Sequence, residues 1–473
     1  MTSGLLRHTA SWLFFATLAY APWAYGGTTA GAIATIDCLL FAVLVFWVVD
    51  LLIKRQRPEF PRTLLILILM LIAIGGWMVF NASAINDSAF AVFARVQQPA
   101  PRLTGSVDYA LSTAWMIRGV LLLGIVLFIV DLSQDARWLL RLWGGIGLVA
   151  GSLALLGLLQ KATGAPMIFW KAARVPGEIL FFATYYYHGN AGAYLNLVLP
   201  LTAGLAVRSF ITPTSAGVRA LWLTVFVLTL LAVVANTSRM AQLIAMVILV
   251  AVAVRIGPRL VQRLSRTEKN VALAGAGAVL LAIFAVAQAT HLEQPIKRWG
   301  QISKSISSDA RWLVDKVAVK EALPEVGFFG FGPGTFRGVF PSFNLASGAP
   351  VAGTWRFLHN DYLQTVMEWG WVGSALWALL FFGGIVVAVR RLKSPDARTW
   401  VPRRRLLLAL VVIALGGVAL HALVDFPLQI ESIQLYAATY LGLCWGSSLW
   451  ESQKSEEVRS QKSEVGSQIT DNR

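Results

Sequence analysis

The chain has 473 residues, of which 57% are hydrophobic and only 14% charged. A soluble domain carries about 25% charged residues, so a soluble globular protein is excluded, and at ~20 apolar residues per span there is room for about a dozen membrane helices. The net charge of +16 would suggest nucleic acid in a soluble protein. In a membrane protein it reflects first the Lys and Arg that collect in cytoplasmic loops, and no nucleic-acid partner is expected. Cys38 and Cys444 both lie in apolar runs, which leaves no disulfide framework and no cysteine metal site.

Apolar runs between polar breaks predict an all-α protein with twelve spans, near 10–25, 31–53, 63–80, 112–131, 138–160, 191–207, 220–236, 240–254, 271–289, 361–389, 406–422 and 432–450. Of the 40 Lys and Arg, 25 fall in segments on one side and 14 on the other, with Arg118 inside a span. Eight of the 14 sit in one long loop that the positive-inside rule does not govern. Both termini are therefore expected in the cytoplasm. Arg7 precedes an apolar run ending in Ala19-Tyr20-Ala21, as in a signal peptide, but Pro22 blocks cleavage and the span is read as a retained anchor.

The organisation expected is nine spans over 1–289, an outer loop over 290–360, three spans over 361–450 and a disordered cytoplasmic tail over 451–473. Connections longer than ~12–15 residues are uncommon without a functional reason. Function is therefore expected in the 290–360 loop.

In chain order, the first residues able to carry chemistry are Asn236-Thr237-Ser238-Arg239, a polar break between two apolar runs. An arginine at that depth either faces a polar cavity or an anion, or snorkels from a tight helical hairpin to the headgroups. Ser308 to Ala322 reads as an amphipathic helix on Ala310, Leu313, Val314 and Val317, capped by Ser307 or Ser308 and stopped by Pro324. Arg311 and Asp315, four apart on it, either pair on the surface or leave Arg311 for a substrate. The glycine-dense turn from Gly327 to Gly334 either forms an anion-binding nest of backbone N–H groups or is a structural loop packed by its phenylalanines. It lacks the Lys and the strand-to-helix context of a P-loop.

His359-Asn360-Asp361-Tyr362-Leu363 leads into the tenth span. A histidine such as His359 is of a residue type able to accept a proton from a hydroxyl, whereas Asn360 and Asp361 also suit a helix start. Asp361 and Glu368 share a helix face. His421 and Asp425, also four apart, can bond to each other for structural reasons. No His-x-His or His-x-x-x-His spacing occurs, so metal binding is disfavoured.

Taken together, these stretches resemble the O-antigen ligase and polymerase family of bacterial envelope glycosyltransferases. The matching pieces are Gly189-Asn190-Ala191-Gly192-Ala193-Tyr194-Leu195 with Leu199-Pro200-Leu201, Ser238-Arg239, Asp309-Ala310-Arg311, the Gly330-to-Phe336 turn, His359 to Leu363 with Glu368 and Gly370, and Asp425-Phe426-Pro427. They span about 190 to 430 in the family's order. The first half of the chain matches in hydropathy alone.

The resemblance implies a GT-C-type fold in the bacterial inner membrane, with the long loop in the periplasm. It implies a glycan donor on undecaprenyl pyrophosphate and a glycan or lipid A-core acceptor. Carried over, Arg239 and Arg311 form a diphosphate clamp, and His359 is the base or orients the acceptor. Substrate contacts are expected from Asn190, Gly332, Gly334, Asn360, Asp361 and Tyr362. Arginine suits the clamp because it stays charged and binds phosphate through two N–H groups at once. No metal, nucleotide or other cofactor is expected, since the energy resides in the lipid-linked donor. Ligase, polymerase and protein-glycosylating enzyme all remain open, and so does the base, with Asp361, Glu325 or no protein group at all as alternatives to His359. The rival from another class, a twelve-helix secondary transporter, fits less well, because the largest loop falls after span nine rather than between two symmetric halves.

Overall fold

A computed structural model describes residues 4–87, 92–172, 180–263 and 310–450. The expected ninth span, the caps at Ser307 or Ser308, and the tail lie outside them. The described chain is mainly helical: α1 (Leu5–Trp23), α2 (Ala30–Lys54), α3 (Arg62–Phe80), α4 (Tyr109–Leu132), α5 (Ala136–Ala162), α6 (His188–Ile211), α7 (Ala216–Ala235), α8 (Arg239–Arg263), α9 (Ala310–Val317), α10 (Phe336–Ala346), α11 (Asp361–Lys393), α12 (Pro402–His421) and α13 (Glu431–Gly446). Among these, α2 to α8, α11 and α12 are nine helices long and apolar enough to cross a membrane. The chain is thus an all-α polytopic membrane protein. The helix at the first expected span carries Arg7, His8, Thr9 and Ser11, and α13, at the twelfth, has 16 residues. An unexpected feature is a small antiparallel hairpin, β1 (Ala84–Asp87) with β2 (Val92–Arg95), which pairs Ala84 with Arg95.

The centre of the bundle is α6. Between Gly189 and Ala206 every side of this helix is buried, as expected for a helix apolar all round, and it is enclosed by α5, α7, α8 and α12. Small residues let its neighbours approach, the means by which helices pack where lipid supplies no hydrophobic drive. A Cβ on Gly192 would lie 2.3 Å from the Ala241 Cβ of α8. Some of the charges at depth are paired, since an unpaired charge in hydrocarbon is costly. Arg118 meets Glu431 at 3.2 Å, and Asp131 takes both Arg7 (3.1 Å) and the Trp47 indole N–H (2.9 Å).

Outside the bundle a second, smaller core joins the long loop to the outer end of α11. It contains Val314, Val317, Ala318, Ala322, Val326, Phe336, Phe340, Leu358 and Met367. The amphipathic pattern expected over 308–322 therefore does bury Val314 and Val317, but Ala310 stays exposed. The α-helix ends at Val317 and continues as one wide turn over Ala318–Ala322 before Pro324.

The glycine turn docks on a break in α11. There Gly370 adopts φ +65° and ψ −172°, a conformation that glycine alone adopts without a steric penalty. A Cβ at Gly370 would sit 2.3 Å from the Phe328 carbonyl oxygen. The turn is then held by Glu368, whose carboxylate accepts from the N–H groups of Gly334 (2.9 Å) and Phe336 (3.3 Å) and from the Gln364 amide (2.9 Å). Gly370→Ala should accordingly lower stability by about 2 kcal/mol or more, since both the backbone conformation and the close approach are lost. Thermal unfolding of the detergent-purified protein would show this as a clear drop in Tm, whereas Gly416→Ala, on an α12 face where a Cβ meets nothing within 4 Å, should leave Tm nearly unchanged.

Candidate active site

Four chain segments meet at the N-terminal end of α6 and the C-terminal end of α12. From the residue before α6, Tyr187 donates its O–H to Asp425 Oδ2 (2.9 Å) and accepts from Arg311 Nη2 of α9 (2.8 Å). From the residue before the α11 cap, His359 Nδ1 lies 3.0 Å from Asp425 Oδ1. His421, at the end of α12, brings Nε2 to 4.0 Å from Asp425 Oδ2, and the Phe426 N–H donates to Oδ1 (3.1 Å). Asp425 is thus the hub of the cluster.

The local sequence explains why the carboxylate can be reached. Gly189 lies so close that a Cβ there would fall 2.5 Å from Asp425 Oδ2, so a larger residue would displace the hub. Phe426 stacks on the Tyr187 ring (centroids 5.5 Å apart) and meets the His359 ring edge-on at 4.8 Å. Both partners are thereby fixed in rotamers that point at the carboxylate.

Electrostatics keep the hub ionised. Burial pushes its carboxyl up, but the His359 hydrogen bond and the charges of His359, His421 and Arg311 outweigh burial and hold Asp425 below the usual carboxylate range. Burial and then the Asp425 charge push the Tyr187 phenol far up, so it stays protonated and remains a donor. An ionised carboxylate only accepts hydrogen bonds, so His359 Nδ1 must carry its proton. In the neutral ring, Nε2 then holds the lone pair. This is the arrangement in which a carboxylate orients a histidine for proton abstraction and stabilises the imidazolium that results.

Arg239 is the first residue of α8 and is half-buried. The break ahead of it docks on the same end of α6, where Asn236 Nδ2 donates to the His188 carbonyl (3.0 Å), one residue from the Tyr187 that holds Arg311. Positive charge at a helix N-terminus opposes the helix dipole, which an anion would relieve. Asn190 is buried on α6, and its Oδ1 has no hydrogen-bond partner among the described residues.

Other sequence candidates turn out to hold the scaffold. Asn360 caps α11 by accepting from the Leu363 N–H (3.1 Å). Asp361 spends both oxygens on Leu428 N–H (2.8 Å) and the Gln429 amide (3.0 Å), and Tyr362 donates to the Ala419 carbonyl (2.8 Å). These bonds fix His359 against the Asp425 segment. Gly332 and Gly334 direct their N–H groups to the Glu368 carbonyl and carboxylate (both 2.9 Å). The anion-nest reading of the turn is corrected at these two positions: their donors are already taken, and the structural alternative describes them. Glu325 is exposed at the end of a short 3-10 turn. Tyr187 was missed altogether, since a tyrosine in Tyr185-Tyr186-Tyr187 reads as an interfacial aromatic.

Residues 224–378 match the O-antigen ligase family. The resemblance first carried by short motifs is thereby supported over this segment of the chain. No curated protein matches the chain. The matched O-antigen ligase segment contains Arg239, Arg311, the glycine turn and His359 to Tyr362, whereas Asn190, Tyr187 and Asp425 lie outside it.

Asp425→Asn should destabilise the protein at neutral pH by roughly 1.5–3 kcal/mol, the range for hydrogen bonds to a charged group. Because the folded-state pKa is depressed, that contribution is complete above the unfolded value and is lost as pH falls through the folded one. The gap in Tm between wild type and Asp425→Asn should therefore narrow as pH falls below about 4. A gap that widened as pH fell below about 4 would contradict the depressed value.

Proposed function

We propose that the protein is a GT-C-type glycosyltransferase of the bacterial inner membrane that moves a glycan from undecaprenyl pyrophosphate to an acceptor hydroxyl on the periplasmic side. The observation that carries this reading is the hub, in which one carboxylate holds a histidine base on one side and, through Tyr187, an arginine on the other. His359 Nε2 takes the acceptor proton while the acceptor oxygen attacks the anomeric carbon. The bond from that carbon to the diphosphate breaks, and Arg311 and Arg239 receive the charge that grows on the leaving group. Asp425 stabilises the imidazolium, and Tyr187 keeps the Arg311 fork aimed. Among the alternative bases, Asp361 has both oxygens occupied, which favours His359.

A cavity of about 480 Å³ between α4, α11 and α13 supports a lipid-borne donor. It is lined by Leu122, Trp369, Phe381 and Leu441 and reaches Asp361 and Tyr362, close behind His359. Transfer to a lipid A-core acceptor, as in a ligase, is the reading preferred here; chain extension by a polymerase uses the same chemistry with a different acceptor. Comparing envelope glycans with and without the gene separates them, because a lost ligase leaves unattached chains and a lost polymerase leaves single repeats.

Removing a donor that acts in the transition state costs ~3–4 kcal/mol, or about 10²–10³ in rate. Arg239→Ala and Arg311→Ala should each reduce transfer by that factor while the protein still accumulates in the membrane. Lysine keeps the charge but not the fork, so Arg→Lys should restore only part of the activity. Near-normal transfer by both alanine variants would refute the clamp.

The proposed orientation places α10 and its loop outside and both termini in the cytoplasm, following the basic-residue distribution. In a background lacking Cys38 and Cys444, a cysteine at Ser347 should react with a membrane-impermeant maleimide on intact spheroplasts, and one at Ser394 should react only after lysis. The reverse pattern would put the candidate site on the wrong face for a donor displayed in the periplasm.

A further inference from the structure

A second cavity, of about 760 Å³, opens beside the hub between α10, the segment 353–356 and the start of α4. Arg337, Asn344, Thr354, Trp355, Arg356 and Leu111 line it. Its chemistry is cationic. Among the described residues neither Arg337 nor Arg356 has an ion pair or a hydrogen bond, and the Arg356 guanidinium rests over the Phe357 ring, 5.5 Å from its centroid. Partial desolvation, and next the neighbouring Arg337 charge, push the solvent-reachable Arg356 below its ordinary value, with Arg118 adding to the repulsion. Two like charges converge on one space, a cost that an anion placed between them removes.

The space is also more than an ion needs. Its volume falls in the range of pockets that enclose a multi-ring organic ligand, and Trp355 offers an indole surface suited to the C–H face of a pyranose. The Asn344 amide is spent on Val351, donating to its carbonyl and accepting from its N–H, both at 2.9 Å, so the arginines supply the recognition. Trp355 also connects this cleft to the hub, because its ring meets His359 edge-on at 5.8 Å. A ligand lying along Trp355 thus leads toward the proposed base.

We propose that this cleft is the subsite for an acidic saccharide, one bearing a phosphate or a carboxylate, with Arg337 and Arg356 on the anionic group and Trp355 under the ring. The name acceptor for that saccharide rests on the glycosyl-transfer reading; the binding itself does not.

Equilibrium dialysis of the full-length, detergent-purified protein tests this with four probes: glucose 6-phosphate, glucuronate, glucose and inorganic phosphate. The measurement is made in the Arg239→Ala/Arg311→Ala background, so that the proposed diphosphate clamp does not contribute. At least one of the two acidic sugars should bind about tenfold or more tightly than glucose and than inorganic phosphate, as expected for charge-assisted hydrogen bonds added to ring contacts. Adding Arg337→Gln and Arg356→Gln should abolish that preference, and Arg→Lys at both should restore part of it. Both side chains are exposed, so an unchanged Tm should accompany the loss. Equal binding of glucose, equal binding of inorganic phosphate, or an unchanged preference in the glutamine variants would each overturn the proposal. No donor or turnover enters the measurement, so its failure leaves the transfer reading standing, and a failed transfer assay leaves this one standing.

Discussion

Everything at the candidate site depends on one buried carboxylate. Asp425 is 4% exposed and stays charged only because its neighbours offset what burial costs it. A Tyr187 hydroxyl, a His359 ring nitrogen and a backbone N–H converge on two oxygens, which is close to the number of hydrogen bonds a carboxylate can accept. Removing any one of them would leave the charge under-satisfied, while removing the carboxylate would leave three donors without an acceptor. The site is therefore a single electrostatic unit rather than a set of independent residues.

The bundle beneath it solves a related problem in a different way. Among the ionisable groups deep in the helices, Arg118 is paired with Glu431, and Asp131 with Arg7 and Trp47. At the outer surface the same residue types are left facing cavities, as Arg337 and Arg356 are. The glycine turn links the two regions: through Glu368 and the break at Gly370 it fastens the loop core to α11, the helix whose cap follows His359.

Much of the fold was legible in the sequence, because hydropathy reports burial in lipid directly. The spans near 31–53, 63–80 and 406–422 fall within a few residues of α2, α3 and α12, and the polar break at Asn236 to Ser238 does separate two helices. The hairpin of β1 and β2 was not legible, since four-residue strands leave too short a pattern to read. Within the site, His359 and Arg311 stood out as ionisable residues in a long loop, but Tyr187 did not, because its role comes from a contact across 238 residues of chain to Asp425. The glycine turn misled for the opposite reason: a nest of N–H groups is visible in a sequence, but the buried Glu368 that occupies two of them is seen only in three dimensions. Asp361 and Asn360 likewise carry residue types that suit catalysis and capping equally, and only their partners tell the two apart.

The hub also has a consequence for how the protein is made. Tyr187, Arg311, His359 and Asp425 enter the membrane in that order as the chain is synthesised, and the residue that joins them comes last, just ahead of α13. Until the segment following α12 has been threaded and folded, the arginine has no tether and the histidine no orienting partner. A chain arrested during insertion, or one truncated before residue 425, would carry nearly all of its membrane helices yet none of its assembled chemistry. Under the proposed function, assembly of the site therefore waits on one of the last segments of the bundle.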